Sequence, residues 1–301
     1  MNSVGKFWAA AVAAGAAAVA AGLARSQYER DHFVVEETVI SSPKIRKPKT
    51  LVFLSDLHDK EFGRRNERLL ASISRIAPDM ILIGGDVMVT KPGKARLDVT
   101  KRLLDGLCEI RSRIVGAGTG EPCRIYYGNG NHEQRMKQET GEYGTLYREF
   151  LELLSGHEIG YLSDSYAEPY EDIRISGLDI DREYYRDFAP RKMKPEYLRK
   201  RIGTPGADRF QILLAHSPLF FDAYAAWGAD LTLAGHFHGG TIRLPWLGGV
   251  MTPQYQFFLP LCAGNFERDG KQMIVSRGLG THSVNIRFCN RPQVVVVKLI
   301  P

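Results

Sequence analysis

Cysteine is scarce in this chain and badly spaced for chemistry. The four, Cys108, Cys123, Cys262 and Cys289, form no C-x-x-C pair and no zinc-finger spacing, and 301 residues bury enough apolar surface to need no disulfide staples. We read them as free thiols, most of them in the core, which argues against a thiolate metal site and leaves the redox compartment open. Internal repeats are missing, and so is low-complexity sequence outside one Ala-rich run near the start, so nothing in the composition suggests disorder. A block of basic charge is missing as well. The net charge of +6 is spread through the chain; it suits an anionic substrate or an anionic membrane surface and does not indicate nucleic acid.

Long apolar runs are also lacking, with one exception. From Phe7 to Leu23 no charged residue occurs, a length at the short end of the ~17–25 residues that cross a bilayer as a helix. Phe7 and Trp8 at its leading edge suit a membrane interface. We expect residues 1–24 to be an uncleaved, single-pass anchor in the cell membrane. The competing expectation is a signal segment with a minimal positive start at Lys6, cut near Gly22-Leu23-Ala24 to release a secreted protein. Arg25 and Arg30 outweigh Lys6, a weak lean toward a cytoplasmic body that leaves the side open. Residues 25–49 read as a basic linker, in which Lys44, Arg46, Lys47 and Lys49 either lie on anionic headgroups or are simply solvated.

From Thr50 on, short apolar runs alternate with polar clusters. The runs at 51–54, 80–83, 125–127, 173–175, 212–214, 231–233, 273–275 and 294–297 are too short for helices and rich in β-branched residues, which predicts buried strands. Helical stretches at 66–76, 97–110 and 143–154 separate the early ones, so the first half should be a layered α/β core with right-handed crossovers. After Asp172 strands follow each other more closely, which predicts a second sheet packed on the first.

What stands at the strand ends is more informative. Ser55-Asp56-Leu57-His58, Gly84-Gly85-Asp86, Gly128-Asn129-Gly130-Asn131-His132-Glu133, Ala215-His216-Ser217-Pro218 and Gly235-His236-Phe237-His238-Gly239-Gly240 each follow an apolar run, and ligands of open α/β sheets bind beyond the carboxyl ends of strands. Asp56 and His58, like His236 and His238, are two apart, so on an extended strand end each pair points one way and can grip one ion. Carboxylate, imidazole and amide oxygen without thiolate suit Mn, Zn or Fe. Any one of these motifs arises by chance, but five of the eight histidines fall in these clusters. The others, His32, His157 and His282, are read as surface or structural.

The series SDLH, GGD, GNHE, AHSP and GHFHGG, in this order, resembles the calcineurin-like metallophosphoesterase superfamily from about Thr50 to the C-terminus. The N-terminal apolar segment and the tail Ser276-Arg277-Gly278-Leu279-Gly280 with Arg287 are similar to a membrane-associated bacterial branch of phosphodiesterases and UDP-2,3-diacylglucosamine-type pyrophosphatases. The resemblance implies an α/β fold with a central β-sandwich flanked by helices over residues 50–301, behind an N-terminal hydrophobic helix. It implies two divalent metal ions: Asp56, His58, Asp86 and His238 around the first, Asp86, Asn131, His216 and His236 around the second, with Asp86 shared and Asn129 a rival amide. It makes His132 the catalytic histidine, and a metal-bridging hydroxide the nucleophile attacking a phosphoester or pyrophosphate in a small-molecule or lipid-linked substrate near the membrane. Two other functions need the same residue types: a dinuclear amidohydrolase, and a membrane-tethered protein whose metal is a structural clip. The loop Arg243–Val250, with aromatics from Trp246 to Phe258 and at Phe220, Phe221, Tyr224 and Trp227, is the candidate for substrate choice.

Overall fold

The computed structural model describes residues 3–114, 116, 120–185, 192–244, 246–252, 257–281 and 284–301. Pro245 of the Arg243–Val250 loop, Tyr255 of the aromatic span after it, and His282 lie outside them. Numbered in chain order, the strands form two six-stranded sheets. The first runs β1 (Val34–Ser41), β14 (Gln293–Ile300), β2 (Lys49–Leu54), β3 (Met80–Ile83), β4 (Arg124–Gly128), β5 (Gly160–Leu162). The second runs β12 (Gly264–Arg268), β13 (Lys271–Val275), β9 (Leu231–Ala234), β8 (Phe210–Leu214), β7 (Ile173–Gly177), β6 (Ser165–Tyr170). A small ribbon pairs β10 (Arg243–Leu244) with β11 (Gly248–Gly249). The helices are α1 (Ser3–Asp31), α2 (Glu67–Ile76), α3 (Asp98–Arg111), α4 (Asn131–Gln138), α5 (Thr140–Tyr143), α6 (Leu146–Gly156), α7 (Pro195–Ile202) and α8 (Phe221–Trp227).

The expected strands read as unbroken apolar runs because both their faces are covered. Leu51 and Phe53 of β2, Met80 and Leu82 of β3 and Val295 and Val297 of β14 point between the sheets, where Ile175, Ile212, Leu214 and Leu233 meet them. The alternate residues Val52, Leu54, Ile81 and Ile83 face outward onto Leu69 and Ile73 of α2, Leu104 and Leu107 of α3, and Phe150 of α6. On the far side, Leu213 packs with Leu198 and Ile202 of α7 and Ala223 and Tyr224 of α8. The result is a mixed α/β fold, two sheets face to face with helices on both outsides. Strands β2 to β5 are parallel, as are β7, β8, β9 and β13. The loops that leave their carboxyl ends therefore collect along one edge.

Six strands, β1, β5, β6, β10, β11 and β12, and the short helices α4, α5, α7 and α8 lie outside the elements expected from the sequence. β1 is an edge strand whose only buried residue is Ile40; its Glu36-Glu37 pair makes it look like linker, yet it is registered along all of β14 from Val34↔Gln293 to Ser41↔Ile300. β6 carries Pro169 and β12 is mostly exposed, both consistent with edges. The span 25–49, expected to be a basic linker, thus contributes the last turns of α1 and a sheet strand. Its cations divide: Lys49 is buried on Asp172 and Lys44 pairs with Asp230, while Arg46 meets Glu171 in solvent and Lys47 is exposed. The cysteines are free, but Cys123 and Cys262 alone are buried, while Cys108 is half-buried and Cys289 exposed.

α1 is longer than the uncharged run. Its most apolar window has a mean hydropathy of 1.8 with none of it buried, making α1 a helix long and apolar enough to cross a membrane. Its last turns behave differently, because Ser26 and Glu29 are buried against the body.

Candidate metal centre

Asp56, His58, Asp86, His132, His216, His236 and His238 are all buried where the strand-end loops meet. Their ligand atoms form three overlapping groups: Asp56, His58 and His238; His58, Asp86 and His132; Asp86, His216 and His236. Asp86 and His58 each belong to two, so Asp86 stands between the Asp56 and His216 sides. Asn131 opens α4 beside them, and its buried Oδ1 has no hydrogen-bond partner.

The backbone reaches this arrangement by a route that strand alternation does not describe. Strand β2 ends at Leu54, and Asp56 and His58 both take the left-handed region, with φ of 53° and 46°. Asp86, His236 and His238 do the same, at 54°, 73° and 52°. The shared direction of each D-x-H or H-x-H pair therefore comes from a tight turn, a strained conformation for such residues that the surroundings must enforce. Backbone bonds enforce part of it: Asp56 N–H donates to Gly85 O at 3.0 Å and His58 N–H to Asp86 O at 3.1 Å. Close approach enforces the rest, since a Cβ on Gly85 would collide with the backbone of Gly130 and one on Gly130 with the Asp86 carboxylate.

Hydrogen bonds behind the rings sort the histidines by role. Nδ1 of His216 lies 2.8 Å from Gly84 O and Nδ1 of His238 lies 3.1 Å from Gly280 O. A carbonyl only accepts, so the proton sits on Nδ1 and the Nε2 lone pair faces the cluster. His132 is the reverse: the Thr90 backbone N–H donates to its Nδ1 at 2.8 Å. The neutral His132 ring then carries its proton on Nε2, as a donor.

The polar atoms sit as donors around a shared centre more than as partners of each other. Nε2 of His216 is 3.1 Å from Asp86 Oδ2 yet lacks hydrogen-bond alignment, and Nε2 of His58 and His238 are 3.1 Å apart. Asp86 keeps Oδ1 for the His132 N–H at 2.8 Å, leaving Oδ2 toward His216 and, at 3.8 Å, His58. Burial alone would raise the Asp86 carboxyl, but the charges of His216, His132 and His58 hold it well below its usual range. His216 moves the other way: burial opposes its charge, and Asp86 and Asp56 push it up to about 10. These imidazoles answer a concentration of negative charge that divalent cations would satisfy better. The donor set, the orphaned Asn131 oxygen and the ring tautomers all fit two such ions.

Three supporting residues were not singled out from sequence. Glu133, fully buried, accepts the N–H groups of Asp86 at 2.9 Å, Val87 at 3.3 Å and Gly130 at 2.9 Å, and the Tyr127 hydroxyl at 2.6 Å. It ties the GGD and GNHE loops together, and the acidic residue three after Gly130 at a helix start was the available signal. Thr90 and Asn290 carried none. Asn129, the rival amide, is committed elsewhere: its Nδ2 donates to Asp179 and its Oδ1 accepts from Tyr161, both at 2.8 Å. Among the other histidines, His157 pairs with Asp105 and His32 reaches Tyr28 O. Tyr185, outside the expected aromatics, stands 5.0 Å from the His236 ring, centroid to centroid. Phe220, Tyr224 and Trp227 are core residues against α7, as packing alone would have it.

The family model "Calcineurin-like phosphoesterase" matches residues 49–240. The chain is 28% identical over 299 residues to the uncharacterized metallophosphoesterase YkuE of Bacillus subtilis, covering 96% of this chain and 93% of that one. It is 24% identical over 297 residues to the UDP-2,3-diacylglucosamine pyrophosphatase LpxG of Chlamydia trachomatis, covering 83% of each. A solved dimetal phosphatase from Danio rerio aligns with 77% of this chain and 88% of its own at 13% identity, with a TM-score of 0.36.

Proposed function

The chain belongs to the calcineurin-like phosphoesterase family, a phosphoester hydrolase by that membership, and on this premise we propose that it hydrolyses a phosphodiester or pyrophosphate in a lipid-linked substrate at a membrane. The observation that carries the reading is the division of ring tautomers: carbonyls behind Nδ1 of His216 and His238 set their protons there, whereas the N–H behind Nδ1 of His132 sets its proton on Nε2. Two divalent cations, Mn, Zn or Fe, would supply Lewis acidity toward the phosphoryl group and an activated water as nucleophile. Asp56, His58, Asp86 and His238 would hold one, Asp86, Asn131, His216 and His236 the other. His132 Nε2–H would donate to a phosphoryl oxygen or protonate the leaving oxygen, and the Thr90 N–H keeps that proton on Nε2 by occupying Nδ1.

The lipid-linked substrate is supported by α1, which we read as an uncleaved membrane anchor, and by the relative named for a nucleotide-linked lipid. The test uses the full chain in detergent with an aryl phosphodiester and a lipid pyrophosphate. Chelation should abolish both activities and Mn, Zn or Fe should restore them; full activity in thoroughly demetallated protein would sink the mechanism. Restored activity confined to the soluble ester would sink the lipid assignment.

A further inference from the structure

Most of the large apolar side chains exposed on the described body gather in one place, with Val35 and Val39 on β1 and Tyr166 on β6 apart from them. Trp246 is 102% exposed at the turn of the β10–β11 ribbon, with Leu247, Phe257 and Phe258 each at 60% or more and Ile286 and Phe288 at 37% and 36%. Backbone pairing makes them one module: Phe288 bridges Ile242, Phe257 bridges Met251, and Phe258 N–H donates to Val250 O at 3.0 Å. A tryptophan wholly in water at a left-handed φ of 66° is a costly choice for a loop that serves only as a connection. Apolar groups so assembled mark an interaction surface.

The position of α1 identifies the partner. The N–H of Arg287, between Ile286 and Phe288, donates to Ser26 Oγ at 3.1 Å, and the N–H groups of Cys289 and Asn290 donate to Glu29. Ser26 lies three residues past Leu23, where the uncharged run ends, which is ~4–5 Å along a helix axis. If that run fills the hydrocarbon layer, Ser26 stands at headgroup depth and carries Ile286 and Phe288 to the same depth. Through the Phe288–Ile242 bridge the ribbon with Trp246 and Leu247 continues from them.

We propose that this module is a second membrane contact, the side chains of Trp246, Leu247, Phe257, Phe258, Ile286 and Phe288 seated in the headgroup–acyl boundary of the bilayer that α1 crosses. It rests on the membrane reading of α1 and not on the catalytic one. The ribbon follows His236 and His238 directly, and Gly240 and Thr241 join the two; Thr241 N–H donates to Met251 O at 2.7 Å. The metal centre is therefore held beside the bilayer surface by two attachments, which fixes its tilt as well as its distance.

The chain's three tryptophans make this measurable, since Trp227 is buried, Trp8 lies on α1 and Trp246 on the ribbon. The full chain, Trp8→Phe and Trp246→Phe are reconstituted in phosphatidylcholine–phosphatidylglycerol vesicles containing lipid brominated just below the headgroup. The Trp246 component, wild type minus Trp246→Phe, should lose intensity to bromine as the Trp8 component does, and aqueous iodide should quench it several-fold less than free indole. Quenching of Trp8 with a Trp246 component that ignores bromine and stays open to iodide overturns the proposal while keeping α1 in the bilayer. Bromine quenching of neither overturns the membrane reading of α1 together with it. Hydrolysis of a soluble aryl ester in the same vesicles reports separately on the catalytic reading.

Discussion

Replacing Glu29 by glutamine asks whether the end of α1 belongs to the hydrolytic body. The Glu29 carboxylate is buried and accepts the N–H of Cys289 at 3.0 Å and of Asn290 at 2.7 Å, beside the Arg25 Nε at 2.7 Å. Glutamine keeps the shape but has one acceptor oxygen, so one backbone donor meets an NH2 group instead. A buried donor left without an acceptor costs about 1–3 kcal/mol, and loss of charge on the surviving bond adds about 1 kcal/mol. The Arg25 pair adds little, because that guanidinium is largely in water. The sum, roughly 2–4 kcal/mol, lowers Tm by about 3–6 °C in a chain of this size. The effect reaches the metal centre through Asn290, whose Nδ2 donates to His238 O at 2.8 Å and to Gly240 O. Metal on the His238 side should weaken by about 10–100-fold, the range for losing a group that orients a ligand. Thermal unfolding and metal retention after dialysis, both on the full chain in detergent, read the two effects. A melting temperature and metal content equal to wild type would refute the docking of α1 on the 287–290 loop.

Other outcomes follow from the same geometry. His132→Ala should keep two metals but lose about 10²–10⁴-fold in rate on esters with poor leaving groups, and less on activated aryl esters; equal losses on both would make His132 an electrostatic stabiliser. Asp86→Asn should strip both metals together whereas His238→Ala weakens chiefly one, and metal analysis showing identical losses would contradict a shared Asp86. Asp172→Ala leaves Lys49 buried without its carboxylate and should cost about 3–5 kcal/mol in chemical denaturation. Burial would raise Asp172, but the Lys49 hydrogen bond takes it below its ordinary 3.8; its folded value being the lower, its contribution is full above that pH and is lost as the pH falls below it. A body beginning at Thr50 discards Glu29 and β1, which pairs along the whole of β14, so it should aggregate or lose metal; a soluble, fully active fragment would show the edge strand to be dispensable.

The sequence alone determined the parts that depend on local pattern. Strands buried on both faces declare themselves as apolar runs, so β2, β3, β8, β9 and β14 could be placed from Leu51, Met80, Ile212, Leu231 and Val294 onward, and the residue types at their ends already named the chemistry of Asp56, Asp86, His216 and His236. Edge strands such as β1 and β12 escaped because their pairing is held by backbone bonds, which leave no mark on side-chain pattern. Tertiary structure decided what depends on partners distant in sequence. The sequence favoured Asn131 over Asn129 only by its adjacency to His132; the tertiary structure adds that Asp179 and Tyr161 occupy Asn129, while the buried Asn131 Oδ1 has no hydrogen-bond partner. His132 differs from His216 because an N–H stands behind one ring and a carbonyl behind the other. Composition could show that the chain begins with an apolar helix, but that its last turns grip the loop behind His238 follows from Ser26 and Glu29 meeting residues more than 250 positions away, a proximity that folding alone creates.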